Sequence, residues 1–133
     1  MSVQTPAPRP LGVSDVEAVE LCRQWMVYLG AADSVVASGD ARQICDLYSR
    51  HYLAWVDNRQ QNLDAAFVER AARLCENDGR RGLVFVPGGV FPDAQDTAEA
   101  LGVALLRFDP YGADLDGANP LGRSVRSLGL AFA

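Results

Sequence analysis

The sequence predicts a mixed α/β domain, with one β-sheet of both antiparallel and parallel strands and helices on both faces. Three observations lead there. A capped helical pattern opens the patterned region, residues 15–29. Two short runs, 43–49 and 52–57, stand close enough together to read as a hairpin. A continuously apolar run, 82–86, and a second buried strand, 103–108, are separated by a helical pattern, as expected of parallel strands buried on both faces and joined by a crossover helix.

Taken in order, residues 1–13 carry Pro6, Pro8 and Pro10 and no core pattern, which predicts a flexible Pro-rich tail. Ser14-Asp15-Val16-Glu17 has the form of a capping box. Val19, Cys22, Met26 and Leu29 follow at helical spacing, and Gly30 is a natural stop. Residues 34–38 hold Val35-Val36 and end at the turn signal Gly39-Asp40, so a short strand precedes the hairpin. Asn62 predicts the cap of a second helix with Phe67, Ala71, Leu74 and Cys75 on one face, ending near Asn77-Asp78-Gly79. Pro87-Gly88-Gly89 ends the strand at 82–86, and Pro92-Asp93 opens a third helix that stops at Gly102. Residues 103–108 form the next strand, and Asp109-Pro110-Tyr111-Gly112 reads as a turn. The expected order is α-β-β-β-α-β-α-β over a domain spanning 14–127. The partly apolar stretch from Asn119 is open to a last helix, and 128–133 is read as a C-terminal tail.

Composition narrows the functional classes. With 133 residues, 49% hydrophobic and 22% charged, the chain suits one globular domain with a single core. No apolar run is long enough for a membrane-spanning helix, and the first ten residues lack the apolar stretch of a signal peptide, so the expected location is cytoplasmic. Cys22, Cys45 and Cys75 are odd in number, lie in apolar-patterned segments and lack metal-ligand spacing, which predicts reduced, packed thiols. The net charge is −5, from twelve basic and seventeen acidic residues, and every basic residue is arginine. Weak or absent DNA binding follows, because sequence-independent binding runs on phosphate neutralisation.

Several segments carry a more specific resemblance. They are the opening helix Glu20-Leu21-Cys22-Arg23-Gln24-Trp25-Met26-Val27-Tyr28-Leu29-Gly30-Ala31, the pair Cys45-Asp46-Leu47 and Ala54-Trp55-Val56-Asp57, the run Arg81-Gly82-Leu83-Val84-Phe85-Val86-Pro87-Gly88-Gly89, and Gly102-Val103-Ala104-Leu105-Leu106-Arg107-Phe108-Asp109-Pro110. In this order and spacing the chain resembles the Mrr-type branch of the PD-(D/E)xK nucleases, which have the restriction-endonuclease-like fold. In that family an aspartate ends one strand of the pair, and a Gln or Glu two residues before a Lys lies on the next. Spacing of two puts both on one strand face. The oxygens hold Mg²⁺ or Mn²⁺, which stabilises charge at the scissile phosphate, and the lysine helps activate water.

The resemblance places Asp46 at the family's aspartate and Glu20 at an acidic position of the first helix. The strand that should read Gln-x-Lys reads Trp55-Val56-Asp57, and Arg42-Gln43 replace the glycines that usually precede the aspartate. Catalytic competence is therefore not expected at the degenerate positions Glu20, Asp46, Trp55 and Asp57. No lysine exists to migrate into the site, and Arg59, two residues past Asp57, carries a guanidinium that transfers protons poorly. Asp46 and Asp57 remain candidate ligands for Mg²⁺ or Mn²⁺, with Glu20 as a third if the three converge; no cofactor is otherwise expected. A large residue filling a vacated pocket is the favoured reading of Trp55. Gly88 and Gly89 are candidate phosphate binders before a helix start, against a plain strand-to-helix turn, which is favoured because Pro87 removes a donor. Trp25, Tyr28 and Trp55 are read as packing, and Arg70, Arg73, Arg80 and Arg81 as a solvated basic edge. Three classes stay open: a pseudonuclease acting through a protein partner or a homo-oligomer, which is favoured; a metal-dependent DNA endonuclease with a rearranged site; and a non-catalytic DNA-binding module.

Overall fold

The computed structural model describes residues 4–59, 61–112 and 114–130. Its elements are α1 (Asp15–Tyr28), β1 (Val35–Val36), a 3-10 turn (Gly39–Gln43), β2 (Leu47–Tyr48), β3 (Tyr52–Val56), α2 (Ala65–Asp78), β4 (Arg81–Val86), α3 (Pro92–Leu101), β5 (Val103–Phe108), β6 (Leu115–Gly117) and α4 (Pro120–Leu128). The six strands form one open sheet in sequence order. β1, β2 and β3 pair antiparallel, β3, β4 and β5 pair parallel, and β6 returns antiparallel to β5.

Strand periodicity divides the core into two layers. Ala54, Leu83, Phe85, Ala104, Leu106 and Phe108 point to the face covered by α1, where they meet Leu21, Trp25 and Met26. α4 adds Leu121 and Val125 to that layer. The alternate residues Leu53, Trp55, Val84, Val86, Val103 and Leu105 point to the other face, against Val68 and Ala71 of α2 and Ala94 and Ala98 of α3. Both faces of the central strands are thus covered, which explains the unbroken apolar runs at 82–86 and 103–106. Each fully buried Leu or Phe contributes about 1.5–3 kcal/mol. Among the described residues, no helix is long and apolar enough to cross a membrane.

Helix ends follow local chemistry. Ser14 caps α1 and exchanges hydrogen bonds with Glu17, the Glu17 N–H donating to Ser14 Oγ at 3.2 Å and the Ser14 N–H to Glu17 Oε1 at 2.9 Å. α2 is capped by Asp64, whose Oδ1 accepts from the Phe67 N–H at 3.0 Å, and not by Asn62. The reason lies next door: Leu63 forms a parallel bridge with Val90, so the chain is still extended where Asn62 would have to cap.

Other expectations are corrected too. The run 43–49 is not one strand, because the chain first coils through the 3-10 turn and pairs with β3 only from Leu47. The structure adds β6 and α4 to the expected element order. The Pro-rich segment from Gln4 onward, expected to be a flexible tail, lies against the turn after β5: Pro6 is buried and the Arg9 N–H donates to the Tyr111 carbonyl. Leu130, expected in the C-terminal tail, is a core residue whose N–H donates to the Leu29 carbonyl at 2.7 Å. Residues 1–3 and 131–133 of the two expected tails lie outside the described residues.

Candidate functional site

β3 pairs antiparallel with β2 on one edge and parallel with β4 on the other, and the neighbouring helices lie on opposite faces, α1 on one and α2 on the other. A crevice opens between these elements near the end of β3. It is a cleft of about 890 Å³, walled by α1, the 3-10 turn with the residues after it, the end of β3 and the start of α2. Glu20, Asp46, Trp55 and Asp57 all line it. Four positions nominated from separate parts of the sequence therefore line one cleft. Gly88 and Gly89 are not part of this lining.

Each carboxylate is already engaged. Asp46 precedes β2, its N–H donates to the Ala54 carbonyl at 3.0 Å, and its Oδ2 accepts from the Val56 N–H at 2.7 Å. The other Asp46 oxygen pairs with Arg42, one helical turn earlier. Asp57 extends β3, its N–H donating to the Phe85 carbonyl at 2.9 Å. Its side chain is buried to 3% exposure, which is costly for a charge unless it is paired. Arg59 supplies that pair in bidentate form, Nε to Oδ1 at 2.7 Å and Nη2 to Oδ2 at 2.8 Å. The same Arg59 lies over the Phe67 ring at 5.7 Å, fixing it against α2. Glu20 is gripped by Arg23 one turn along α1, with Nε at 2.7 and 2.8 Å from its two oxygens. Hydrogen bonding to these carboxylates pushes the Arg59 and Arg23 guanidinium pKa values up from their ordinary range.

Trp55 is 8% exposed, and its indole N–H donates to the Ile44 carbonyl at 2.8 Å. It lies between β3 and the turn before β2, its ring tied to backbone. Burial pushes the adjacent Cys45 thiol up from its ordinary value, and that of Cys75 on α2 to about 11. Neither offers a thiolate near neutral pH.

These residues do not suit a divalent cation. Among the described residues no group of three or more His, Cys, Asp or Glu is placed to hold a metal ion. Guanidinium groups take the places beside the carboxylates where a cation would sit. The Gly88 carbonyl accepts from Arg107 Nε at 2.8 Å, and the Gly89 carbonyl from the Leu63 N–H at 3.1 Å. The helix beyond begins only at Pro92. Sequence reasoning noted Arg59 but gave no role to Arg23 or Arg42. Spacings of three and four between opposite charges were the available signal. It also gave no role to the exposed valines of the cleft mouth.

No family model, no curated protein and no solved structure matches this chain.

Proposed function

We propose that this protein is a non-cleaving binding protein on a restriction-endonuclease-like frame, a degenerate relative of the Mrr-type nucleases that acts through a protein partner. The observation that carries the reading is the state of the cleft's carboxylates. Glu20, Asp46 and Asp57 line the cleft, yet each is neutralised by an arginine within four residues of it in sequence. A metal-dependent hydrolase needs open acceptor oxygens for the cation and a base or orienting amine for water. The chain has no lysine to provide the latter. The antiparallel pair followed by parallel strands around α2 and α3 supports the frame. Cys22, Cys45 and Cys75 are free and buried, which suits a reducing compartment such as the cytoplasm.

The test is a plasmid-nicking assay with Mg²⁺ and Mn²⁺, alongside calorimetric titration of each metal. The expected result is no nicking and no saturable heat. Metal-dependent nicking that disappears in Asp46→Ala would overturn the reading in favour of an endonuclease with a rearranged site. Trp55→Gln with Asp57→Lys would recreate the family's ligand set at a cost of several kcal/mol, because it opens a void and buries an unpaired amide.

A further inference from the structure

We propose that a basic pocket at the amino ends of β3 and β4 binds a phosphoryl dianion, free or as the end group of a small soluble molecule, held by Arg50, His51 and Arg80. The pocket lies at the other end of β3 from the cleft and stands independently of the reading given for that site.

Strand pairing builds it. Tyr52 and Arg81, the first residues of β3 and β4, are register partners, and the Arg81 N–H donates to the His51 carbonyl at 3.0 Å. This sets two turns side by side. One joins β2 to β3, closed by the Ser49 N–H donating to the Tyr52 carbonyl at 2.9 Å, with Arg50 and His51 at its tip. The other follows α2, where Gly79 takes a left-handed φ of 94° and turns the chain into β4, carrying Arg80 and Arg81. Together with Tyr52 and Leu130 the two turns line a pocket of about 210 Å³.

Its charge differs from that of the cleft. The cleft lining sets Asp15, Glu20, Asp46 and Asp57 against its arginines, whereas no acidic side chain lines the pocket. The carboxylates bonded to its residues are outside the lining: Asp78 pairs with Arg80, and Asp33 accepts from the Arg50 backbone N–H at 2.7 Å. The guanidiniums of Arg50, Arg80 and Arg81 outnumber these two carboxylates before His51 is counted, although the whole chain has a net charge of −5. Nor are the donors spent. The side chains of Arg50 and His51 make no hydrogen bond or ion pair among the described residues. Arg80 gives Nε and Nη2 to Asp78 and Nη1 to the Ser49 carbonyl, so two of the five N–H groups of its guanidinium remain. The same contacts, with the guanidinium 5.6 Å over the Tyr48 ring, hold Arg80 in place before a ligand arrives.

Donors arriving from two turns suit a tetrahedral anion. A phosphoryl group presents its terminal oxygens in different directions and is shared among several donors, whereas a carboxylate lies in one plane that a single guanidinium fork satisfies. The second negative charge of a phosphoryl group also answers the positive surplus. A nucleic acid strand fits less well, because its affinity depends on neutralising many phosphates in succession. Here the cations are gathered around one small pocket.

His51 is the only histidine in the chain, so its ring C–H signals report on the pocket in a proton NMR spectrum of the full chain. Inorganic phosphate and phenyl phosphate are titrated at constant pH and ionic strength, with benzoate as the carboxylate arm and a single-stranded DNA oligonucleotide as the polymer arm. A saturable shift of the His51 signals is expected with at least one phosphate, at an affinity about tenfold or more weaker in Arg50→Gln, a loss on the scale of one charged contact. Arg50→Glu should abolish the shift. The Arg50 side chain is exposed and unbonded, so both variants keep the circular dichroism and melting temperature of the parent. Equal affinity for the two phosphates assigns the free anion, and tighter binding of phenyl phosphate assigns a monoester. No saturable shift with either phosphate, an equal response to benzoate, or unchanged binding in both variants overturns the proposal. Tighter binding of the DNA arm with loss in Arg50→Glu also overturns it, in favour of a nucleic acid occupant.

Discussion

Asn119 and Asp46 both splint backbone groups near strand ends, on opposite halves of the sheet, and their surroundings differ. Asn119 is 2% exposed: its Oδ1 accepts from the Leu105 and Gly122 N–H groups at 3.0 and 2.7 Å, and its Nδ2 donates to the Val103 carbonyl at 2.9 Å. Around it the chain is packed backbone to backbone. A Cβ at Gly122 would lie 1.8 Å from the Leu105 oxygen, and one at Gly117 would lie 2.2 Å from the Arg123 nitrogen. Asp46 splints β3 with one oxygen and gives the other to an exposed arginine at the wall of a cleft. Its strands β1 and β2 are two residues long, whereas β4 and β5 are six. The half around Asn119 is closed by neutral backbone contact, and the half around Asp46 is held by side chains that solvent reaches. Tight backbone packing is concentrated in the first and solvent-reached charge in the second.

The strongest way to break this contrast is Gly122→Ala. No side-chain adjustment relieves a contact with the Leu105 carbonyl, so a loss above about 4 kcal/mol is expected in urea unfolding. A variant within about 1 kcal/mol of the parent would show that the closed half can yield. Asn119→Ala ranks next: it strands two N–H donors and one carbonyl in the core, for an expected loss of about 3 kcal/mol. On the open side, Asp46→Ala should cost about 2 kcal/mol, mainly from the Val56 N–H left without its acceptor. Asp46→Asn keeps that acceptor and should recover most of the loss; if it does not, the ion pair with Arg42 carries more than its exposure implies. Arg42→Ala, which removes a 59% exposed partner, should fall below about 1 kcal/mol in the same measurement.

A pH series probes the layer under α2 separately. The Cys75 thiol is raised to about 11 by burial, so the folded chain holds this proton more tightly than the unfolded chain does. Its contribution is fully present below the unfolded value and is lost as pH rises through the folded one. Stability should therefore decline between about pH 9 and 11, by at most about 1.4 kcal/mol per pH unit from this group. Cys75→Ala should flatten the slope in urea titrations across that window. An unchanged slope would assign the decline to other groups.

Much of this arrangement is written in the sequence where punctuation is strong. Pro92 and Gly102 bound α3, and the strand expected at 103–108 matches β5 residue for residue, because turn chemistry and burial on both faces leave little else. β6 was not legible, since Leu115 is its only fully buried residue and Asp116 and Gly117 resemble a loop. The docking of the N-terminal segment was hidden for a different reason. It uses the Arg9 backbone N–H and the ring of Pro6, and neither leaves a side-chain period. In the site, Glu20, Asp46, Trp55 and Asp57 were picked out residue by residue, but not what neutralises them. The partners are local, since Arg23, Arg42 and Arg59 lie two to four residues from the carboxylates they hold.

That closeness has a mechanical side. Each charged pair at the cleft sits within a single short stretch of chain, so each travels with the element that bears it. α1 reaches the loop after β3 through the hydrogen bond that the Asn58 amide donates to the Asp15 carboxylate, and α2 meets that loop through the Phe67 ring under Arg59. Among the described residues no ion pair spans the gap from one wall to the other. The contacts that join one wall to another are therefore hydrogen bonds, a ring contact and packing, and none is an ion pair.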